Sequence, residues 1–277
     1  MAGNRITWVH DGDQWRRATP AARAKIAFKE ALRKPFVALG YDLRKMNQRP
    51  WVYDPMAVQR RLVASIPEPI VFDVGANVGQ TLQRYAAAIP NARVHCFEPF
   101  PASFNALAET AAQYPRATAH ELALADADGE RVLHASTTYH TRNSLLERPT
   151  GGRTYWRGGA LDEEVTVRVE TLDSFRARTN VERIDILKID VQGAEGLLLD
   201  GAKGTLGAGA IGLIYTEVMF VPHYEGGVLY DELAHRLDAH GFSLLNIYDP
   251  IVASNGQLRY ANALFVSPDV RARVLDL

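Results

Sequence analysis

Four carboxylates, two glycines and one histidine carry the chemistry this sequence could do. Residues Ile70-Val71-Phe72-Asp73-Val74-Gly75-Ala76-Asn77-Val78-Gly79-Gln80-Thr81 pass from an apolar run through an acid into a turn with two glycines. Glycine lacks a Cβ, so backbone at such a turn can approach a ligand closely. Asp73 can accept hydrogen bonds from a cationic or hydroxylated ligand. Glu98 follows the next apolar run, Arg93 to Phe97, about 20 to 25 residues after the turn, where a carboxylate can accept from both hydroxyls of a ribose. Asp190 closes Ile184-Asp185-Ile186-Leu187-Lys188-Ile189, and Glu217 closes Ala210 to Thr216. His223 lies just beyond, in Val221-Pro222-His223-Tyr224-Glu225-Gly226-Gly227, with an imidazole suited to moving a proton near neutral pH.

These residues must be positioned by strands and helices in alternation. Ile70 to Phe72 reads as a buried parallel strand and Gln80 opens a helix; a strand, turn and helix at the carboxyl edge of an α/β sheet make a small-molecule crevice. The turn is not G-x-G-x-x-G, because its glycines are four apart, and no Gly-Lys-Ser/Thr of a P-loop follows. Further strands are expected at Ala117 to Leu122, Val165 to Val169, Phe242 to Tyr248 and Arg259 to Val266, the last antiparallel and closing the sheet. Helices are expected at Met56 to Ile66, Pro99 to Gln113, Thr171 to Arg178, Ala194 to Leu199, Val228 to His240 and Pro268 to Leu275. Glu130 to Ala135 begins an extra β segment, and Asp249-Pro250 reads as a turn.

Taken together, VFDVGANVGQT, CFEPFPASFNAL and LKIDVQGAEGLLLDGA resemble the FkbM family of S-adenosylmethionine-dependent methyltransferases, over about residues 66 to 266. The resemblance implies a Rossmann-like class I methyltransferase fold: a seven-stranded, mostly parallel sheet with helices on both faces. It implies methyl transfer to a hydroxyl, on a sugar (free, or in a glycan, glycolipid or glycosylated natural product) or on a macrolide or other polyketide. It implies S-adenosylmethionine held by Asp73, Gly75, Ala76, Asn77, Gly79 and Thr81 at the turn, by Glu98 at the ribose, and by Phe100, Leu122, Ser144 and Asp190 around it. Asp190 and Glu217 would orient the acceptor, with His223 as the base, Asp190 as its rival and His140 behind both. The two carboxylates could instead hold Mg2+, but Gln192 stands where Glu is commoner in the family and a third ligand is lacking, so the metal-free reading is favoured. A degenerate fold serving as a binding or scaffold subunit is the non-enzyme alternative.

The chain has 277 residues, enough for one large domain plus an extension. Residues 1–65 hold 13 Lys+Arg against 5 Asp+Glu, and the remainder 18 against 27. We therefore expect a basic, mostly helical N-terminal extension or lid over residues 1–65 and a methyltransferase domain over 66–277. Such an arm could meet an anionic partner such as a membrane-linked glycan, pair two copies, or be drawn to its own acidic core. Within it, Ile6 to His10 and Gln14 to Arg17 could pair as a hairpin, and Thr19-Pro20 cap a helix that Pro35 ends or kinks. Thr137 to Asp162, with Tyr139, His140, Tyr155 and Trp156, is a long irregular stretch that suits sugar stacking at the entrance and equally suits a plain surface loop. The single cysteine, Cys96, falls in a strand and excludes an intrachain disulfide. Neither a signal peptide nor an apolar run long enough to span a bilayer is read, which makes a cytoplasmic location the expectation. No Asn-Pro-Pro-Tyr-like motif follows the fourth core strand and the core is acidic, which argues against a nucleic-acid substrate.

Overall fold

The computed structural model describes residues 8–10, 15–17, 19–39, 49–136, 143–149 and 163–274. Contacts divide the chain into Met1–Pro50 and Trp51–Leu277. In the smaller unit β1 (Trp8–His10) pairs antiparallel with β2 (Trp15–Arg17), as the expected hairpin. Helix α1 (Pro20–Ala38) starts at Thr19, whose Oγ1 accepts from the Ala22 N–H at 3.2 Å. The helix does not end at Pro35 but runs one turn past it. A proline so close to a C-terminus removes one hydrogen bond where the ladder is already fraying. Most of 137–162, including His140, lies outside the described residues.

The larger unit begins earlier than residue 66. Helix α2 (Pro55–Leu62) is capped by Asp54, whose Oδ1 accepts from the Met56 and Ala57 N–H groups. Its Val58 and Leu62 bury among Leu82, Tyr85 and Ile89 of the following βα unit, and the Tyr85 hydroxyl donates to Gln59 Oε1 at 2.8 Å. This helix therefore belongs to the core that it covers, and the arm is correspondingly shorter than the charge distribution suggested.

The core alternates strictly at first: β3 (Ile70–Val74), α3 (Gln80–Ala88), β4 (Arg93–Phe97), α4 (Pro101–Ala111) and β5 (Ala117–His120). A side sheet follows, of β6 (Ala123–Leu124), β7 (Gly129–Ala135) and β8 (Glu163–Glu170), in the order β6-β8-β7. Then come α5 (Leu172–Thr179), β9 (Ile184–Ile189), α6 (Glu195–Asp200), α7 (Lys203–Gly207), β10 (Ile211–Met219), α8 (Tyr230–Asp238), β11 (Ser243–Val252), β12 (Leu258–Val266) and α9 (Pro268–Val274). The main sheet has seven strands in the order β11-β12-β10-β9-β3-β4-β5, and β12 alone runs antiparallel to its neighbours. This is the expected class I methyltransferase sheet. One apolar cluster covers each face of it, with Leu187, Ile189 and Ile214 on one side and Val71, Ile186 and Leu213 on the other.

Two strand ends lie more than two residues from the reading. β10 does not stop at Thr216 but continues to Met219, because β12 pairs with it through Glu217↔Asn262 to Met219↔Tyr260. Its parallel pairing with β9 does stop at Thr216↔Ile189, so Glu217 still lies just past the end of β9. Asp249-Pro250 is not a turn between strands but an irregularity inside β11, between Tyr248 and Ile251, with Asp249 at φ +49°. β11 is an edge strand, where a proline removes no hydrogen bond from a ladder. Among the described residues no helix is long and apolar enough to cross a membrane.

Candidate active site

Strand order reverses between β3 and β9: the chain builds outward from β3 in one direction and from β9 in the other. A crevice opens at the carboxyl ends of strands flanking such a point. Here it is a cavity of about 330 Å³, lined by the β3 turn, the end of β4, the start of β6, residues 143–145 and the end of β9. That volume suits a small ligand.

The turn after β3 is shaped by close approach. Gly75 has φ +76°, and a Cβ on it would sit 1.9 Å from the Asp190 carbonyl oxygen. Its lack of a side chain lets the ends of β3 and β9 touch. Asn77 holds φ +49° and points its N–H at Glu98 Oε2, 2.9 Å away. The Phe100 N–H binds the other oxygen, Oε1, at 3.0 Å. Glu98 is thus clamped by two backbone donors at the cavity wall, only 7% exposed. Burial pushes its carboxyl up to about 7, with the two N–H groups opposing.

Of the residues read as cofactor contacts, Gly75, Ala76, Asn77, Thr81, Glu98, Leu122, Ser144 and Asp190 line the cavity. Asp73, Gly79 and Phe100 do not. Asp73 is fully buried beneath the turn, with Oδ1 2.9 Å from Lys188 Nζ. The two are register partners on adjacent strands. Lys188 also donates to the Gly75 carbonyl at 3.0 Å and lies 3.8 Å from Asp190 Oδ2. Burial alone would pull the lysine down, but Asp73 and Asp190 hold it above its ordinary value. Asp73 is therefore the lysine's counter-charge and reaches the cavity only through it. Gly79 caps α3 in the left-handed region and packs on Thr110 and Leu107 of α4. Phe100 is buried under the side sheet and contributes its N–H instead of its ring.

The sequence reading missed Lys188, Gln80 and Arg84 as lining residues. Lys188 had a signal: a charge inside an apolar strand must find a partner. Asn143 Oδ1 accepts from the Ser136 N–H at 3.0 Å, and among the described residues its buried amide nitrogen has no protein partner.

On the acceptor side, Asp190 is the open carboxylate, with its side chain 43% exposed. Gln192 Nε2 donates to Asp190 Oδ1 at 2.9 Å and to Glu217 Oε2 at 3.0 Å, so the structure brings these two acids together through an amide. Burial, then the nearby Asp190 and Glu195, push Glu217 up to about 9. Glu195 is itself raised to about 7 by burial, although its Oε1 accepts from the Val191 and Gly193 N–H groups. His223 is not brought to this group. Its Nδ1–H donates to the Val221 carbonyl at 2.9 Å, and its Nε2 accepts from Arg259 at 3.0 Å. That arrangement occupies both ring nitrogens. Burial, together with Arg259 and Arg148, also lowers its pKa. Among the described residues no three His, Cys, Asp or Glu side chains gather as a metal site.

The family model of the FkbM methyltransferase domain matches residues 73–244. The 2-O-methyltransferase NoeI of Sinorhizobium fredii is 28% identical over 178 residues, covering 62% of this chain and 72% of NoeI. The 31-O-demethyl-FK506 methyltransferase FkbM of Streptomyces tacrolimicus is 29% identical over 208 residues, covering 68% of this chain and 77% of that protein. Among solved structures, Aeropyrum pernix fibrillarin with bound S-adenosyl-L-methionine matches at 13% identity and a TM-score of 0.41, covering 78% of this chain and 76% of that one. A likeness of that order adds nothing to the strand order described above.

Proposed function

This chain belongs to the FkbM methyltransferase family, and we propose that it is an S-adenosylmethionine-dependent O-methyltransferase acting on a sugar hydroxyl. The observation that carries the cofactor is Glu98, a buried carboxylate clamped by two backbone N–H groups in the wall of the cavity. Its remaining lone pairs suit the two hydroxyls of a ribose. Leu122, Leu124 and Leu133 give an apolar wall for a base. Gln80, Thr81 and Arg84, at the start of α3, suit the carboxylate of an amino acid. The residues present therefore fit the cofactor, which when bound supplies an electrophilic methyl group on a sulfonium.

The chain's own work is to hold a hydroxyl beside that methyl and accept its proton. Positioning of this kind supplies much of the acceleration of a bimolecular transfer. Asp190 lines the cavity and is open to solvent, so it is the base we assign. Glu217, with its carboxyl held up to about 9, is protonated at neutral pH and donates a hydrogen bond to a neighbouring acceptor oxygen. The row of Asp190, Gln192, Glu217 and Tyr224 is polar throughout, which supports a polyhydroxylated acceptor. The relatives named above methylate oxygen by their names.

Calorimetry with S-adenosylhomocysteine tests the first half, and transfer of a labelled methyl to monosaccharides, oligosaccharides and macrolides tests the second. Micromolar binding by the wild type that weakens in Glu98→Gln, with label on a sugar, is the expected result. A well-folded wild type that fails to bind would sink the enzyme reading. Label on macrolides alone would overturn the acceptor class.

A further inference from the structure

Asp190 leaves the end of β9, and Glu217 lies on β10 just past the point where β9 stops pairing with it. One side chain joins them. The Gln192 amide nitrogen donates to both, and its oxygen accepts from the Tyr224 hydroxyl at 3.0 Å. These three bonds favour one orientation of the amide. An NH2 group has two hydrogens and here spends one on each carboxyl. Turned over, Oε1 would meet the Asp190 oxygen lone pair against lone pair and could accept only from Glu217. Burial raises the Tyr224 pKa, so its hydroxyl keeps the proton it donates.

The backbone beneath is built to hold this pose. Gln192 has φ +54° and Gly193 φ +96°, a left-handed pair that turns the side chain back over the end of β9. The Gln192 carbonyl accepts from Ser144 Oγ at 2.7 Å. The Tyr224 ring fills the place where a Cβ on Gly193 would be, with its nearest atom at 2.6 Å. Tyr224 in turn is held through its loop, where the Glu225 N–H binds the Glu147 carbonyl at 2.8 Å.

We propose that Gln192 is a positioning residue whose amide takes the place between Asp190 and Glu217 that a divalent cation would take, so that the pair grips an acceptor's hydroxyls without metal. The grip on an acceptor rests on the functional reading above; the exclusion of a cation does not. Both carboxyl oxygens lie within hydrogen-bond distance of one nitrogen, so they are about 6 Å apart at most. Mg2+ would need each of them at about 2.1 Å, in a near-octahedral oxygen shell. The amide hydrogens point at those same oxygens and would have to be expelled. On its other side Asp190 faces the Lys188 ammonium at 3.8 Å, a positive charge that repels a second cation.

The test titrates Mg2+ and Mn2+ calorimetrically into the full-length wild type, Gln192→Glu and Gln192→Asn. Asparagine tolerates the left-handed backbone but is one methylene too short to bridge. The wild type should take up neither ion at millimolar concentration, whereas Gln192→Glu, with a third carboxylate replacing the amide, should bind Mn2+ stoichiometrically. Methyl transfer by the wild type should survive EDTA. Tyr224→Phe keeps the ring that packs on Gly193 and removes only the hydroxyl. It and Gln192→Asn should each lower kcat by on the order of tenfold, leaving S-adenosylhomocysteine affinity within about twofold. Stoichiometric Mg2+ uptake by the wild type, or loss of its activity in EDTA, overturns the proposal. So does an unchanged kcat in both Tyr224→Phe and Gln192→Asn. If the metal titrations come out as expected but no hydroxyl acceptor is methylated, the amide assignment stands and the functional reading falls.

Discussion

The two ends of the cavity are held by different means. At the β4 end, Glu98 is fixed by backbone N–H groups of Asn77 and Phe100, whose positions follow from the turn and the start of α4. At the β9 end, Asp190 and Glu217 are fixed by one side chain, Gln192, which leans on a second, Tyr224. Backbone clamps survive most substitutions nearby. Side-chain relays change with a single residue. A fold that must keep one cofactor and vary its acceptor gains by dividing the two ends this way.

Between them sits Lys188, and its loss should have the largest effect. Lys188→Met leaves the Asp73 carboxyl without its counter-charge in a fully buried site, which costs about 3 to 5 kcal/mol. Denaturant unfolding should show that loss, and a stability within 1 kcal/mol of wild type, in round terms, would deny the ion pair its structural role. Gly75→Ala comes next. Its Cβ would meet the Asp190 carbonyl in a left-handed backbone, so β3 and β9 must separate, at roughly 2 to 4 kcal/mol. Both ends should suffer together: S-adenosylhomocysteine affinity and acceptor turnover fall in the same variant. Retention of either would show that the ends are less tightly coupled than the turn implies.

Glu98→Gln should act on the cofactor end alone. The new amide cannot accept at both oxygens, so one backbone N–H faces a donor, which costs about 1 to 3 kcal/mol in binding. The wild-type protein adds a pH signature. Glu98 is raised to about 7, and only its carboxylate can accept from a ribose diol at both oxygens. Affinity for S-adenosylhomocysteine should therefore rise with pH up to about 7 and level off above it, and the slope should vanish in Glu98→Gln. A flat wild-type profile would remove Glu98 from the ribose.

Stability of the ligand-free protein should move the other way. Glu98 and Glu195 bind protons in the folded state up to about 7, and Glu217 up to about 9, while their unfolded forms release them near the ordinary 4.5. The folded state thus holds more protons across that window, and stability should fall as pH rises from 4.5 to 9. Thermal unfolding midpoints at pH 5 and pH 8.5 check the sign. The smallest effect is expected at His223. With Nε2 turned to Arg259 and Nδ1 to Val221, His223→Gln should change kcat by less than about threefold. A hundredfold loss would return His223 to the catalytic group and enlarge the acceptor end.

Much of the fold was legible because its signals are local. The apolar runs at Ile70 and Arg93, the glycine turn between β3 and α3, and the cap at Thr19 all appear where the residues suggested. Glu98 was legible for the same reason: it ends a strand and binds N–H groups of nearby turns. The misread positions are those whose partners are distant in sequence. Glu217 looked terminal because the run Ala210 to Thr216 ends there, but β12 carries the strand on to Met219. Nor could the sequence show that Arg259 of β12 meets Nε2 of His223.

The sequence by itself determined the order of strands and helices, the glycine turn and the acids that follow the strands, because propensity, periodicity and left-handed backbone act over a few residues. Only the tertiary structure decided what each acid does. Asp73 and Lys188, 115 residues apart, become neighbours through the register of β3 on β9, and that pairing buries the first acid of the turn as a counter-charge. Asp190 and Glu217 come within reach of one amide only when β9 and β10 lie side by side and Tyr224 folds back over Gly193. A carboxylate's role is set by its burial and its partners, and both are properties of packing that no short stretch of chain contains.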